Sequence, residues 1–134
     1  MKKSILLLFS QLCLSTFLCA SDVELNAMVM INMENGLASI QKGFLYNNLD
    51  LIKKGVEQVS KENMIYQDRS VIKSILPENK QQMENLALIT SKRIENSADE
   101  MKVFIALGQV KKAHNAFSDM INACTDCHTL IRGW

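Results

Sequence analysis

Five consecutive residues near the end of the chain, Cys124-Thr125-Asp126-Cys127-His128, constrain it more than any other stretch. Cys-x-x-Cys-His is the attachment pattern of a c-type haem. On a helix, positions three apart lie one turn from each other on one face. Both thiols can therefore reach the two vinyl groups of one porphyrin edge, and the adjacent His128 imidazole ligates the iron from the proximal side. Three other uses of the pattern compete. A thioredoxin-like redox pair expects a strand–helix–strand setting, and nothing in the chain reads as a strand. A zinc site takes four ligands, and beyond the leader described next the chain offers Cys124, Cys127, His128 and His114. A structural disulfide would leave His128 without a task.

The chain has 134 residues, one domain's worth. Its first 20 read as a secretory signal peptide. Lys2 and Lys3 form a positive start, an apolar stretch from Ile5 to Leu18 follows, and Cys19-Ala20 precede a cut after Ala20. A lipoprotein anchor at Cys19 would want small residues before it, where Thr16-Phe17-Leu18 stand. The apolar run is also short for a bilayer span, so no stable membrane insertion is expected after cleavage. Residues 21–134 are then the folded domain, and export places it in the periplasm. Cys13, Cys19, Lys2 and Lys3 depart with the leader, so 15 basic against 14 acidic residues becomes 13 against 14. No basic patch remains to suggest nucleic acid.

Apolar residues recur in steps of three and four through four stretches. Ser21 or Asp22 caps the first helix, which buries Ala27, Met30, Met33, Leu37, Ile40 and Phe44 and stops near Gly43. Tyr46-Asn47-Asn48 make a turn. A second helix covers about 49–61, with Leu49, Ile52, Val56 and Val59 inward and weakened by Gly55. Residues 62–76 are the least legible, with a short helical turn at Val71–Leu76. Pro77 opens a third helix, about 78–106, facing inward with Met83, Leu86, Thr90, Ile94, Ser97, Met101 and Ile105. Gly108 stops it. The fourth, about 109–132, presents Val110, Ala113, Phe117, Met120, Cys124, Cys127 and Ile131, which puts the attachment motif on the buried stripe. Four helices with short links and no strands form an all-α, antiparallel four-helix bundle.

On these residues the chain resembles the class II c-type cytochromes, the cytochrome c′ family. The motif lies on the last helix, and the family's Cys-x-x-Cys-His-x-x-aromatic-basic pattern appears as Cys124 to Arg132, with Ile131 in place of the aromatic residue. Gly108, Ala113, Ala116 and Phe117 match the spacing before the motif; Lys42-Gly43, Ile52-Lys53 and Val56-Glu57 match nearer the start. The resemblance implies one covalent haem c per chain, with Cys124 and Cys127 as thioether attachments and His128 as proximal iron ligand. It also implies Arg132 beside the proximal face, a periplasmic location and, in many members, a homodimer through the first two helices. Arg132 has an equal reading as a cation easing the helix C-terminus.

The sixth ligand stays open. Low-spin members use a first-helix methionine, and high-spin members leave the iron five-coordinate. In the ungapped register that position is Ala27, with Met28 beside it and Met30 one turn on; Met33 lies further along the helix. Methionine is also common core filler. With Met28 or Met30 ligating, the expectation is one-electron transfer between redox partner proteins, not enzymatic turnover. Without either, the expectation is a five-coordinate protein binding nitric oxide or carbon monoxide. A weak peroxidase would need a distal acid–base group, for which Asn32 and Glu34 are the polar candidates. His114 lies 14 residues before His128, about 21 Å along the axis, too far for the same iron, and is expected at the surface. Tyr46, Tyr66 and Trp134 carry no pattern and are read as packing or surface residues.

Overall fold

The computed structural model describes the backbone of residues 2–132 and the side chains of residues 24–132. It separates into two compact units, residues 1–31 and 32–134. The expected signal peptide and the Cys19 site fall on residues whose side chains lie outside those described, as does Trp134. All elements among the described residues are helical, and none of these helices is long and apolar enough to cross a membrane.

The first unit holds the leading part of α1 (Lys2–Leu45), which runs on through Ser21 and Asp22 where a cap was expected. Ala27 and Met28 are exposed, Met30 is half-buried and Val29 is buried. The inward position in this stretch is thus Val29 instead of Ala27.

In the second unit α1 continues from Asn32, followed by α2 (Leu49–Asn63), a 3-10 turn (Met64–Gln67), α3 (Arg69–Ile75), a second 3-10 turn (Glu78–Met83), α4 (Glu84–Ala106) and α5 (Val110–Arg132). Local chemistry sets each boundary. Asn47, at φ 52°, ends α1 in the left-handed region, with Asn47 N–H donating to Phe44 O and Asn48 N–H to Gly43 O. That is the paired bonding of a Schellman stop. Gly43 lies near the end of α1, as expected, and is buried where Ile52 crosses it. Asn48 then caps α2, its side chain accepting from Leu51 N–H at 3.0 Å. Gly108, at φ 68°, repeats the stop on α4: Gln109 N–H reaches Phe104 O at 2.8 Å and Gly108 N–H reaches Ile105 O at 3.1 Å.

Side-chain bonds fix the directions. Ser60 donates to Glu95 and Asn63 to Ser91 O, so residues rise along α2 as they fall along α4. Arg93 reaches Asp126 while Lys112 lies over the Phe104 ring at 5.5 Å, which sets α4 and α5 antiparallel. Gly36 and Gly55 let α1 and α2 touch backbone to backbone. A Cβ on Gly55 would lie 2.5 Å from Gly36 O and 2.9 Å from Ile40 N, closer than any real Cβ tolerates. Gly55 is therefore a packing residue, not merely a weak point of α2. The interior around this crossing is apolar, with Ile40, Ile52, Val56, Val59, Ile72, Met101 and Met120 fully buried. The second unit is a bundle of helices packed as antiparallel neighbours.

Some inward positions differ from the apolar periodicity. Leu49 and Leu86 are exposed, while Ala87, Ser91 and Ala98 are buried instead. Small residues let α4 approach its neighbours closely, which the larger-residue pattern does not reveal. Pro77 opens the 3-10 stretch Glu78–Met83, and α4 proper begins six residues later than expected, at Glu84. Of the illegible segment, Tyr66, Ile72 and Leu76 are buried.

Candidate haem-attachment site

The motif lies deep within α5, well beyond its first turn. Ala113, Ala116, Phe117, Met120, Ala123 and Leu130 form the fully buried stripe of that helix. Cys124, Cys127, His128 and Ile131 are half-buried, so they border this stripe, and Val110 is exposed. The motif was expected on the buried stripe; its cysteines lie half-buried at the stripe's edge, and alanines 113, 116 and 123 are among the residues that fill it. The site is a margin of the core, with Cys124, Cys127 and His128 half-buried along it.

Neighbouring elements hold this margin in place. Arg93 on α4 donates to Asp126 at 2.9 Å and pairs with Asp119 at 3.5 Å, binding the helix one turn before the motif and within it. Thr125 and Thr129 hydroxyls donate back to Ile121 O and Thr125 O, at 3.0 and 2.9 Å. Lys80 Nζ donates to Thr129 O at 3.2 Å, tying the second 3-10 turn to the last turn of α5. Arg132 is exposed in that last turn, where a cation complements the helix dipole.

The electrostatics favour neutral side chains. Burial, reinforced by Cys127, pushes the Cys124 thiol up to about 11, and burial raises Cys127 as well. Both cysteines are free thiols. Reactive redox pairs need the reverse, a thiol lowered by a helix N-terminus or nearby cations. The His128 imidazole is held below its usual range, first by burial and then by the positive Arg132. It is therefore neutral at neutral pH, the form whose nitrogen lone pair ligates a metal. Among the described residues, no three His, Cys, Asp or Glu side chains converge on a point fit for one ion. A haem makes no such demand, since its porphyrin supplies four nitrogens and the protein adds axial ligands. Two protonated thiols a turn apart beside one neutral imidazole fit that group.

Comparison with family models, with curated proteins and with solved structures returned no match. The reading of this site accordingly rests on its own residues.

Other expected positions are distributed as follows. Met28 and Met30 belong to the first unit, while Met33, in the second, is 5% exposed. His114 is exposed, yet its ring meets Phe44 edge-on at 5.1 Å and lies 6.4 Å from Phe117. It is a packing residue between α1 and α5 as well as a surface one. Asn32, a candidate distal group, accepts at its backbone carbonyl from Gln58 Nε2 at 2.8 Å. Glu34 is exposed. The residue that sequence reasoning passed over is Tyr66, 5% exposed and close enough to Cys127 for that thiol's charge to raise its phenol. Its 3-10 turn, Met64–Gln67, is too short for an apolar period, so nothing local marks which of Met64, Ile65 and Tyr66 is buried.

Proposed function

We propose that this protein is an exported c-type cytochrome of the cytochrome c′ type, a four-helix bundle that carries one covalent haem and transfers single electrons. The observation that supports the reading best is the pairing on α5 of two half-buried free thiols, a turn apart, with a neutral imidazole at the next position. When bound, the haem supplies a one-electron ferric–ferrous couple. Cys124 and Cys127 hold it by thioether bonds, so it is not lost by dissociation. His128 supplies the proximal nitrogen and depends on staying unprotonated. Burial and Arg132 both act in that direction.

Arg93 on α4 pairs with Asp126 inside the motif, which ties α4 to the helix that carries these three side chains. Met28 or Met30 is the proposed sixth ligand, and a thioether there raises the reduction potential. The leader routes the chain to the periplasm, its partners are redox proteins, and a second copy of the chain pairs with it through α1 and α2.

Expression beside a haem-attachment system, followed by absorption spectra with and without carbon monoxide, tests this directly. The expected result is a low-spin ferric spectrum and slow uptake of the gas. A high-spin spectrum with immediate uptake would transfer the protein to the nitric oxide and carbon monoxide binders. A colourless mature protein would end the haem reading altogether.

A further inference from the structure

Two tight turns of the second unit lie at one end of the bundle. Phe44, at the close of α1, meets His114 near the start of α5 at 5.1 Å and Phe117 at 5.9 Å. These contacts bring the α1–α2 turn beside the α4–α5 turn. The residues there are apolar and uncovered. Leu45 is 74% exposed, Tyr46 72% and Leu107 63%, and Val103 is exposed one turn before Leu107. Single apolar residues scattered over a surface need no explanation, but a group gathered on one tip does.

Lysines surround this tip. Residues 42–54 and 99–112 hold six lysines against three carboxylates, whereas the rest of residues 32–134 holds seven cations against nine acids. Asp50 and Asp99 are taken up by Lys53 and Lys102, at 3.7 and 2.9 Å. Lys42, Lys54, Lys111 and Lys112 are exposed and form no ion pair among the described residues. Lys111 and Lys112 stand in the first turn of α5, which contains no acid and where the helix dipole disfavours a cation. The Phe104 ring offsets this for Lys112 alone. Folding gives little reason for the pair, whereas an anion outside the chain gives one.

We propose that this tip docks on an anionic lipid surface, with Leu45, Tyr46 and Leu107 entering the headgroup boundary and the lysines lying over the charged headgroups. The residue types favour lipid over an acidic protein. Protein interfaces are enriched in arginine and depleted of lysine, and the chain's three arginines, Arg69, Arg93 and Arg132, all lie outside the tip. Lysine stems lie along apolar surface while their ammonium groups reach outward, and tyrosine suits the boundary between lipid and water. The contact is peripheral. Cys124 lies 14 residues beyond Val110, about 21 Å along α5, so docking here does not depend on what the motif carries.

The test is sedimentation of the exported, processed protein with vesicles of phosphatidylcholine alone and of phosphatidylcholine mixed equally with phosphatidylglycerol. Binding is expected on the mixed vesicles and not on the neutral ones. Lys111→Gln with Lys112→Gln is expected to weaken it about tenfold, and Leu45→Ser with Leu107→Ser to weaken it by a similar factor, about tenfold. No binding to the mixed vesicles overturns the proposal, as does equal binding to both kinds. Full binding by the leucine variant also overturns it, since attraction of charge alone would then suffice. Equally tight binding to soluble poly-glutamate reassigns the tip to an acidic protein. A wild-type dimer that the leucine variant turns to monomer reassigns it to a second copy of the chain. Should either variant fail to fold, the wild-type comparison of the two vesicle types decides alone.

Discussion

Tyr66 and Asp68 stand two residues apart and respond to pH in opposite directions. Asp68 caps α3, accepting from the Ser70 hydroxyl and the Ser70 N–H, and these bonds hold its carboxyl below the ordinary carboxylate range. A depressed carboxylate adds stability above its unfolded pKa and loses it as pH falls through the folded value. Asp68→Asn keeps a capping oxygen and is expected to flatten the acid limb of an apoprotein stability curve, measured by urea unfolding below pH 5. Tyr66 works at the other extreme. Its phenol is raised from 10 to about 12, so burial in neutral form stabilises the fold below pH 10, and that contribution disappears as pH climbs through the folded value. The sequence has two tyrosines, and Tyr46 is exposed. Tyr66→Phe should therefore abolish the later step in a titration of tyrosinate absorbance; survival of that step would show that Tyr66 is not the buried phenol.

Among the elements, two glycines do different things. Gly108 has no atom within 4 Å of a built Cβ and a φ of 68°, so Gly108→Ala meets only backbone strain. The expected loss is about 1–2 kcal/mol, the price of a left-handed residue with a side chain. Gly55→Ala would drive a methyl into the backbone of α1 and is expected to cost about 1–3 kcal/mol through overpacking. Chemical denaturation of both variants and their combination should give nearly additive losses, since the sites share no partners. Helix ends of this kind were legible in the sequence because a stop is local: Gly108, Pro77 and the Asn47-Asn48 turn announce themselves within a few residues. The packing role of Gly43 and Gly55 was hidden for the complementary reason. Their job depends on a second helix, and no short window contains both partners. Tyr66 escaped for the same cause, a 3-10 turn whose burial is decided by Ser91 far along the chain.

For the molecule as a whole, the Cys-x-x-Cys-His motif was the most legible part of the candidate site, because two thiols and an imidazole fall within five residues. Its margin position was not, since alanines at 113, 116 and 123 compete for the interior and only packing reveals that they win. Replacing Cys124 and Cys127 together by Ser should give a folded but colourless protein from a host that attaches haem to the wild type. Met28→Ala and Met30→Ala should separate the axial possibilities, one of them converting a low-spin spectrum to high-spin. No change in either would remove both from the coordination sphere.

The glycine crossing of α1 and α2 has a mechanical consequence. Two helices whose backbones already touch cannot part to admit a flat ring between them, so that seam behaves as a fixed wall.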